Sequence, residues 1–139
     1  MDEIAEKASD FNMDRVVIVD RGQEGLGNIK FFRIGESGLV SVPPAMHVAG
    51  VRLRREFGVS RTKPTLAIVS EPSEKLLVMA ETLSKFFSIP LMSNDEAFRS
   101  NSTVMRLTVD TANRIVIAFM VEPNHIEVGP RIVVSRVEW

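Results

Sequence analysis

Thr65-Leu66-Ala67-Ile68-Val69-Ser70-Glu71-Pro72-Ser73-Glu74-Lys75-Leu76-Leu77-Val78-Met79-Ala80-Glu81-Thr82-Leu83-Ser84-Lys85-Phe86-Phe87 is the stretch on which the fold turns. Its first five residues make an unbroken run of buried-strand type. Ser70-Glu71-Pro72 then supplies a capping hydroxyl and an early proline, the signals of a helix start. From there to about Phe87 the apolar positions Leu76, Leu77, Met79, Ala80, Leu83, Phe86 and Phe87 cover one broad face, with Glu74, Lys75, Glu81, Ser84 and Lys85 mainly on the other. A strand feeding such a helix predicts a helix packed on a sheet.

Downstream, Ile89 to Met92 is a short extended piece, and Ser93 to Ser102 a loop or brief helix starting near Asn94-Asp95-Glu96. Thr103 to Val109, a turn at Asp110 to Asn113, and Arg114 to Val121 predict a hairpin; Ile132 to Val137 is a last strand after the Gly129-Pro130 corner. Upstream, residues 2 to 11 have helical spacing, and Val16 to Val19 is a β-branched run that suits a strand covered on both faces. Glycines at 22, 25 and 27 precede a second strand from Asn28 to Ile34, and Gly35 to Gly38 forms a tight turn. Residues 39 to 51 are extended, with Pro43-Pro44 restricting them to an edge or a bend. Both halves run helix, strand, turn, strand. The expectation is a mixed α/β (α+β) fold of two similar half-domains in one domain: a first half over 1–51, a basic connector over 52–63 and a second half over 64–139.

Composition narrows the function. With 45% hydrophobic and 25% charged residues in 139, the chain is ordinary globular material, so disorder and fibrous structure are excluded. No window approaches the ~18 uninterrupted apolar residues of a membrane span, and Met1-Asp2-Glu3 does not open a signal peptide. A cytoplasmic protein without membrane partners is expected. Cysteine is absent, which removes thiol chemistry, disulfides and thiolate zinc sites.

The remaining motifs favour structural roles over chemistry. Gly22, Gly25 and Gly27 lead into a strand rather than a helix, which suits a hairpin loop better than a phosphate cradle. Ser73-Glu74-Lys75 lacks the spacing of an acylating serine, and no nucleophile elbow occurs. Glu71 with Glu74, and Asp95 with Glu96, sit at helix starts, where the dipole accounts for them. His47 and His125 have no partner at metal-ligand spacing, and the seven methionines share no face. No enzyme, cofactor, metal or small-molecule substrate is expected.

Charge is where the chain departs from the bland. The net charge is −1, yet residues 49–63 hold five basic side chains, Arg52, Arg54, Arg55, Arg61 and Lys63, against Glu56 alone. A solvated face normally mixes signs. Clustered guanidinium groups suit phosphate oxygens, so RNA or another polyanion is the leading reading. An acidic protein partner and a passive linker are the alternatives. Arg131 and Arg136 extend the patch if the fold brings them near, although Arg136 alternates with Val133, Val134 and Val137 and suits bulk water equally.

Ile126-Glu127-Val128-Gly129-Pro130-Arg131, followed by a β-rich end, resembles the Glu-Val-Gly-Pro-Arg signature near the end of Brix domains, found in ribosome-assembly proteins. The unit from Asp14 to Ile34, and Gly50-Val51-Arg52-Leu53-Arg54-Arg55-Glu56-Phe57, look like the middle of the same domain. The compact length is most similar to the archaeal single-domain members. The family's opening strand, basic helix and Asn-Arg-Gly turn have no counterpart here, so a truncated or shortened start is expected. The resemblance implies a pair of half-domains related to the anticodon-binding fold, acting without catalysis in ribosomal RNA processing and subunit assembly. It makes Glu127, Gly129, Pro130 and Arg131 the signature corner, with the glycine and proline shaping the backbone and Arg131 in contact with RNA.

The expected function is therefore a ribosome-assembly factor that binds ribosomal RNA, or a pre-ribosomal particle with its assembly proteins, through 52–63 and Arg131. A protein-interaction scaffold and an anticodon-binding-like module for transfer RNA are the alternatives.

Overall fold

The computed structural model of the chain describes residues 2–21, 27–58 and 65–139. The elements are α1 (Asp2–Asp10), β1 (Arg15–Arg21), β2 (Gly27–Gly35), β3 (Gly38–Arg52), a 3₁₀ turn (Arg54–Phe57), β4 (Thr65–Ser70), α2 (Glu74–Phe87), α3 (Asn94–Ser100), β5 (Thr103–Val109), β6 (Ile115–Val121), β7 (Ile126–Glu127) and β8 (Arg131–Glu138). This is the expected mixed α+β class. The chain forms two compact units, residues 1–49 with 134–139, and residues 50–133. No helix among the described residues is long and apolar enough to cross a membrane.

In the first unit β1, β2 and β3 are antiparallel neighbours, from Arg15↔Arg33 to Arg21↔Gly27 and from Gly27↔Val48 to Gly35↔Gly38. Gly22 and Gly25 of the expected hairpin loop lie outside the described residues. Pro43-Pro44 does not break β3 or confine it to an edge. The register passes from Lys30↔Ala45 to Phe31↔Val42, leaving both prolines without a partner on β2, in a bulge of a strand that lies between β2 and β8. A proline has no N–H to give a ladder, so a bulge is where a central strand tolerates it.

Val16 to Val19 does not lie between two covering layers, because β1 ends the strand order and leaves Val17 and Val19 exposed. The buried apolar side chains of this unit include Ile29, Phe31, Phe32, Pro44, Met46, Val48 and Val134 from the strands, with Ala5 and Ala8 from α1.

In the second unit β4 runs parallel to β5 and β5 antiparallel to β6, from Thr103↔Val121 to Val109↔Ile115. β7 adds to β6 through Met120↔Glu127 and Val121↔Ile126. The parallel pair needs a long crossover, and α2 and α3 supply it. α2 packs on β4 and β5 with Leu76, Met79, Ala80, Leu83 and Phe86 buried. The buried stripe is narrower than its apolar residues suggest: Leu77 and Phe87 turn outward, and the helix begins after Ser73 rather than after Ser70.

The Ser93–Ser102 stretch is the brief helix α3. The Ser93 hydroxyl accepts from the Glu96 N–H at 3.2 Å and also bonds the Glu96 carboxylate, an N-terminal box that explains so short a helix. Ala97 seats α3 on Ala67, Val69 and Val104, with Met92 and Met120 at the margin.

The β5–β6 turn is closed by Asp110, whose carboxylate accepts from the Ala112 and Arg114 N–H groups at 3.0 and 2.8 Å and from Arg114 Nε at 2.9 Å. These bonds, the Arg114 N–H first, hold the Asp110 carboxyl below its ordinary value of 3.8. A carboxyl lowered by folding stabilises the protein above that value and loses the contribution as pH falls through its folded pKa. Asp110→Asn is therefore expected to reduce stability at neutral pH and to flatten the loss of stability below pH 3.8, measured by urea unfolding against pH. For α2, Leu76→Ala should cost about 2–5 kcal/mol and Leu77→Ala no more than about 0.5 kcal/mol by the same assay.

Candidate functional site

The Gly129-Pro130 corner follows directly from its neighbours in sequence. Val128 is buried and its N–H donates to the Phe119 carbonyl at 2.9 Å, which anchors the end of β7 to β6. Gly129 then takes φ +71°, a left-handed conformation that disfavours any side chain. Space forbids one as well. A Cβ at Gly129 would lie 2.6 and 2.7 Å from two ring carbons of Phe57 and 2.9 Å from the Arg54 Cα. The missing side chain is what lets the basic turn lie against the corner.

That turn is locally well bonded. The Glu56 N–H donates to the Leu53 carbonyl at 2.9 Å, the Leu53 N–H donates to the Glu56 carboxylate at 2.5 Å, and Gly58 closes the turn at φ +69°. Glu56, the one acidic residue in the basic segment, thus spends its charge on the backbone of its own turn. Arg52, at the end of β3, places its guanidinium carbon 4.3 Å from the centroid of the Phe57 ring and donates from Nη2 to the Glu56 carbonyl at 3.3 Å. Arg131 approaches the same ring at 5.7 Å. Cations near an aromatic centroid at such distances are attracted by the ring quadrupole.

The structure accordingly gathers Arg52, Arg54, Gly129 and Arg131 around Phe57, with Pro130 in the corner itself. Arg52, Arg54 and Arg55 are exposed, and neither Arg52 nor Arg55 has a carboxylate partner among the described residues. Arg61 and Lys63 lie outside the described residues. Arg131 is differently placed from the turn arginines: Nε donates to Glu127 at 2.7 Å and Nη2 donates to the other carboxylate oxygen, which raises the Arg131 pKa. Arg136 belongs to the first unit, where it donates to Glu138 at 2.8 Å and contacts His47 at 3.1 Å.

Two features escape a reading of the sequence. Phe57 is the centre of the cluster, and its only signal is an aromatic side chain in a basic stretch. The other is Glu122, which is 1% exposed and accepts from Arg106 Nε and Nη2 at 3.1 and 2.9 Å, with His125 Nδ1 at 2.9 Å on the same oxygen. Arg106 also donates to Asn94 at 2.6 Å. An arginine inside the apolar strand Thr103–Val109 is the available clue, since a charge there needs a partner.

Arg106, His125, Glu127 and Arg131 line a cleft of ≈ 590 Å³ within the second unit. Both arginines on that wall are held by carboxylates, so neither is an uncommitted charge for phosphate. Among the described residues no group of three His, Asp or Glu side chains has the arrangement of a metal site.

The described geometry defines a mixed α+β protein with an exposed arginine turn seated on an aromatic ring and a glycine corner. No family model matches the chain, and no curated protein matches it. Among solved structures it is similar to a probable ribosomal biogenesis protein from Aeropyrum pernix K1, with a TM-score of 0.72 and 17% identity, over 96% of this chain and 73% of that one. At that identity the likeness shows the fold.

Gly129→Ala is expected to destabilise the chain by at least about 1–2 kcal/mol from the left-handed backbone alone, with the ring contact adding to it. Gly50→Ala, where a Cβ meets nothing within 4 Å, should be neutral or stabilising in the same unfolding assay.

Proposed function

We propose that this chain is a Brix-like, non-enzymatic ribosome-assembly factor that binds ribosomal RNA phosphates through Arg52, Arg54 and Arg55, with Arg61 and Lys63 continuing the same segment. The observation that carries the reading is the exposed arginine turn held against the Glu127–Arg131 corner. Segments singled out separately, one by charge and one by family resemblance, meet at a single ring. The similarity in fold to a probable ribosomal biogenesis protein supports it.

The Arg52 and Arg55 guanidinium groups, without a carboxylate partner among the described residues, meet phosphate oxygens without first breaking such a pair. Such contacts recognise the course of an RNA backbone rather than its sequence. Arg131, tied to Glu127, serves the site by completing the corner against Phe57 and contacts RNA at the margin. The partners are ribosomal RNA and the pre-ribosomal particle, in the cytoplasm of a cell of archaeal type, and no cofactor is required. The exposed edge of β1 favours a second reading, a scaffold for an assembly protein that adds a strand there.

The test is fluorescence anisotropy of ribosomal RNA fragments over ~50–300 mM salt, with transfer RNA as competitor. Binding should be steeply salt-dependent and should resist the competitor. Reversal of Arg52, Arg54 and Arg55 to Glu should weaken it at least about tenfold and flatten the salt slope by about one unit per lost phosphate contact. Unchanged affinity in the triple variant would remove these residues from the site. Loss of RNA to the transfer RNA competitor would instead favour the anticodon-binding-like module.

A further inference from the structure

We infer that Phe57 fixes the Arg52 guanidinium as a stacking platform for an unpaired RNA base, so that the turn selects single-stranded over duplex RNA. The inference rests on the proposed RNA-binding function and adds the class of RNA. Arg52 is immobilised twice, by the Phe57 ring 4.3 Å below it and by its bond to the Glu56 carbonyl at 3.3 Å. The ring is itself fixed, because Gly129 lies against it too closely for a side chain and Arg131, clamped by Glu127, approaches it at 5.7 Å.

Holding a long, flexible cation in one place over a ring costs order, and simple charge attraction to phosphate does not need it. A guanidinium lying on a ring has one face covered. In Arg52, which is exposed and has no carboxylate partner among the described residues, the other face meets solvent. A planar base suits that face, since arginine planes and aromatic rings are the surfaces on which unstacked RNA bases settle. Past Leu53, Arg54 and Arg55 open the exposed turn that follows, on the chain side from which the phosphates flanking such a base would be met. A duplex keeps its base faces stacked inward and can offer phosphates only.

The experiment measures anisotropy with a short unstructured RNA and with the same sequence as a duplex, using the intact chain. Wild type should bind the single strand about tenfold more tightly than the duplex. Arg52→Lys keeps the charge and leaves the Phe57–Gly129 contact untouched, so it should keep the salt slope and lose the preference. Phe57→Leu should do the same, and Phe57→Tyr should restore it. Unfolding midpoints of the variants identify any that fail to fold, in which case Arg52→Lys decides alone. Equal, salt-dependent binding of both RNA forms by wild type, or a preference that survives in Arg52→Lys, would overturn the platform and leave the assembly-factor reading standing. Absence of salt-dependent binding to either RNA would overturn both.

Discussion

The contact between the Phe57 ring and the bare Cα of Gly129 is the constraint on which the candidate site depends. The 3₁₀ turn of four residues, Arg54–Phe57, is closed by its own bonds but buries none of its residues, so those bonds alone do not fix its place. It needs a surface to lie on, and the corner supplies one because Gly129 adopts φ +71° without a side chain. Val128, buried and bonded to Phe119, keeps that corner fixed to β6. Ring, turn and corner therefore order one another, and Arg52 and Arg131 take their positions from the ring.

Electrostatics sorts the arginines of this unit into two kinds. Arg106 faces the buried Glu122, and Arg131 is bound through two nitrogens to Glu127. A buried carboxylate stripped of its cation costs about 3–5 kcal/mol, so Arg106 is committed to the fold and is unavailable to a ligand. Arg52 and Arg55 carry no such obligation among the described residues, and Glu56, the carboxylate nearest to them in sequence, is occupied by the Leu53 N–H. Charge that is uncompensated in the folded state is charge that a polyanion can use. The same sorting explains why the cleft beside Arg131, despite its size and its two arginines, is a poor site for phosphate.

What the sequence made legible follows from how local each signal is. The strand and helix of 65–87 depend on periodicity and are read correctly, as is the hairpin of β5 and β6. The outward turn of Leu77 and Phe87 is invisible, because an apolar residue on the margin of a helical stripe looks the same whether or not something covers it. Val16 to Val19 fails for a related reason: a β-branched run suits an edge strand as well as a covered one, and only the strand order distinguishes them. Pro43-Pro44 is legible as a disturbance, but the bulge against β2 that accommodates it depends on the partner strand. The arginine cluster shows in a simple count of charges. Phe57 does not, since its role is defined by a glycine in a distant segment, and Glu122 is silent until Arg106 is seen beside it.

Placing the basic turn and the glycine corner in one site makes the location of bound RNA the central claim. The most direct measurement is the set of backbone amide shifts in the nuclear magnetic resonance spectrum of the intact chain as a ribosomal RNA fragment is added. The account predicts that shifts concentrate at residues 52–58 and 127–131 and fade with added salt. Shifts confined to the exposed edge of β1, with residues 52–58 unmoved, would contradict it.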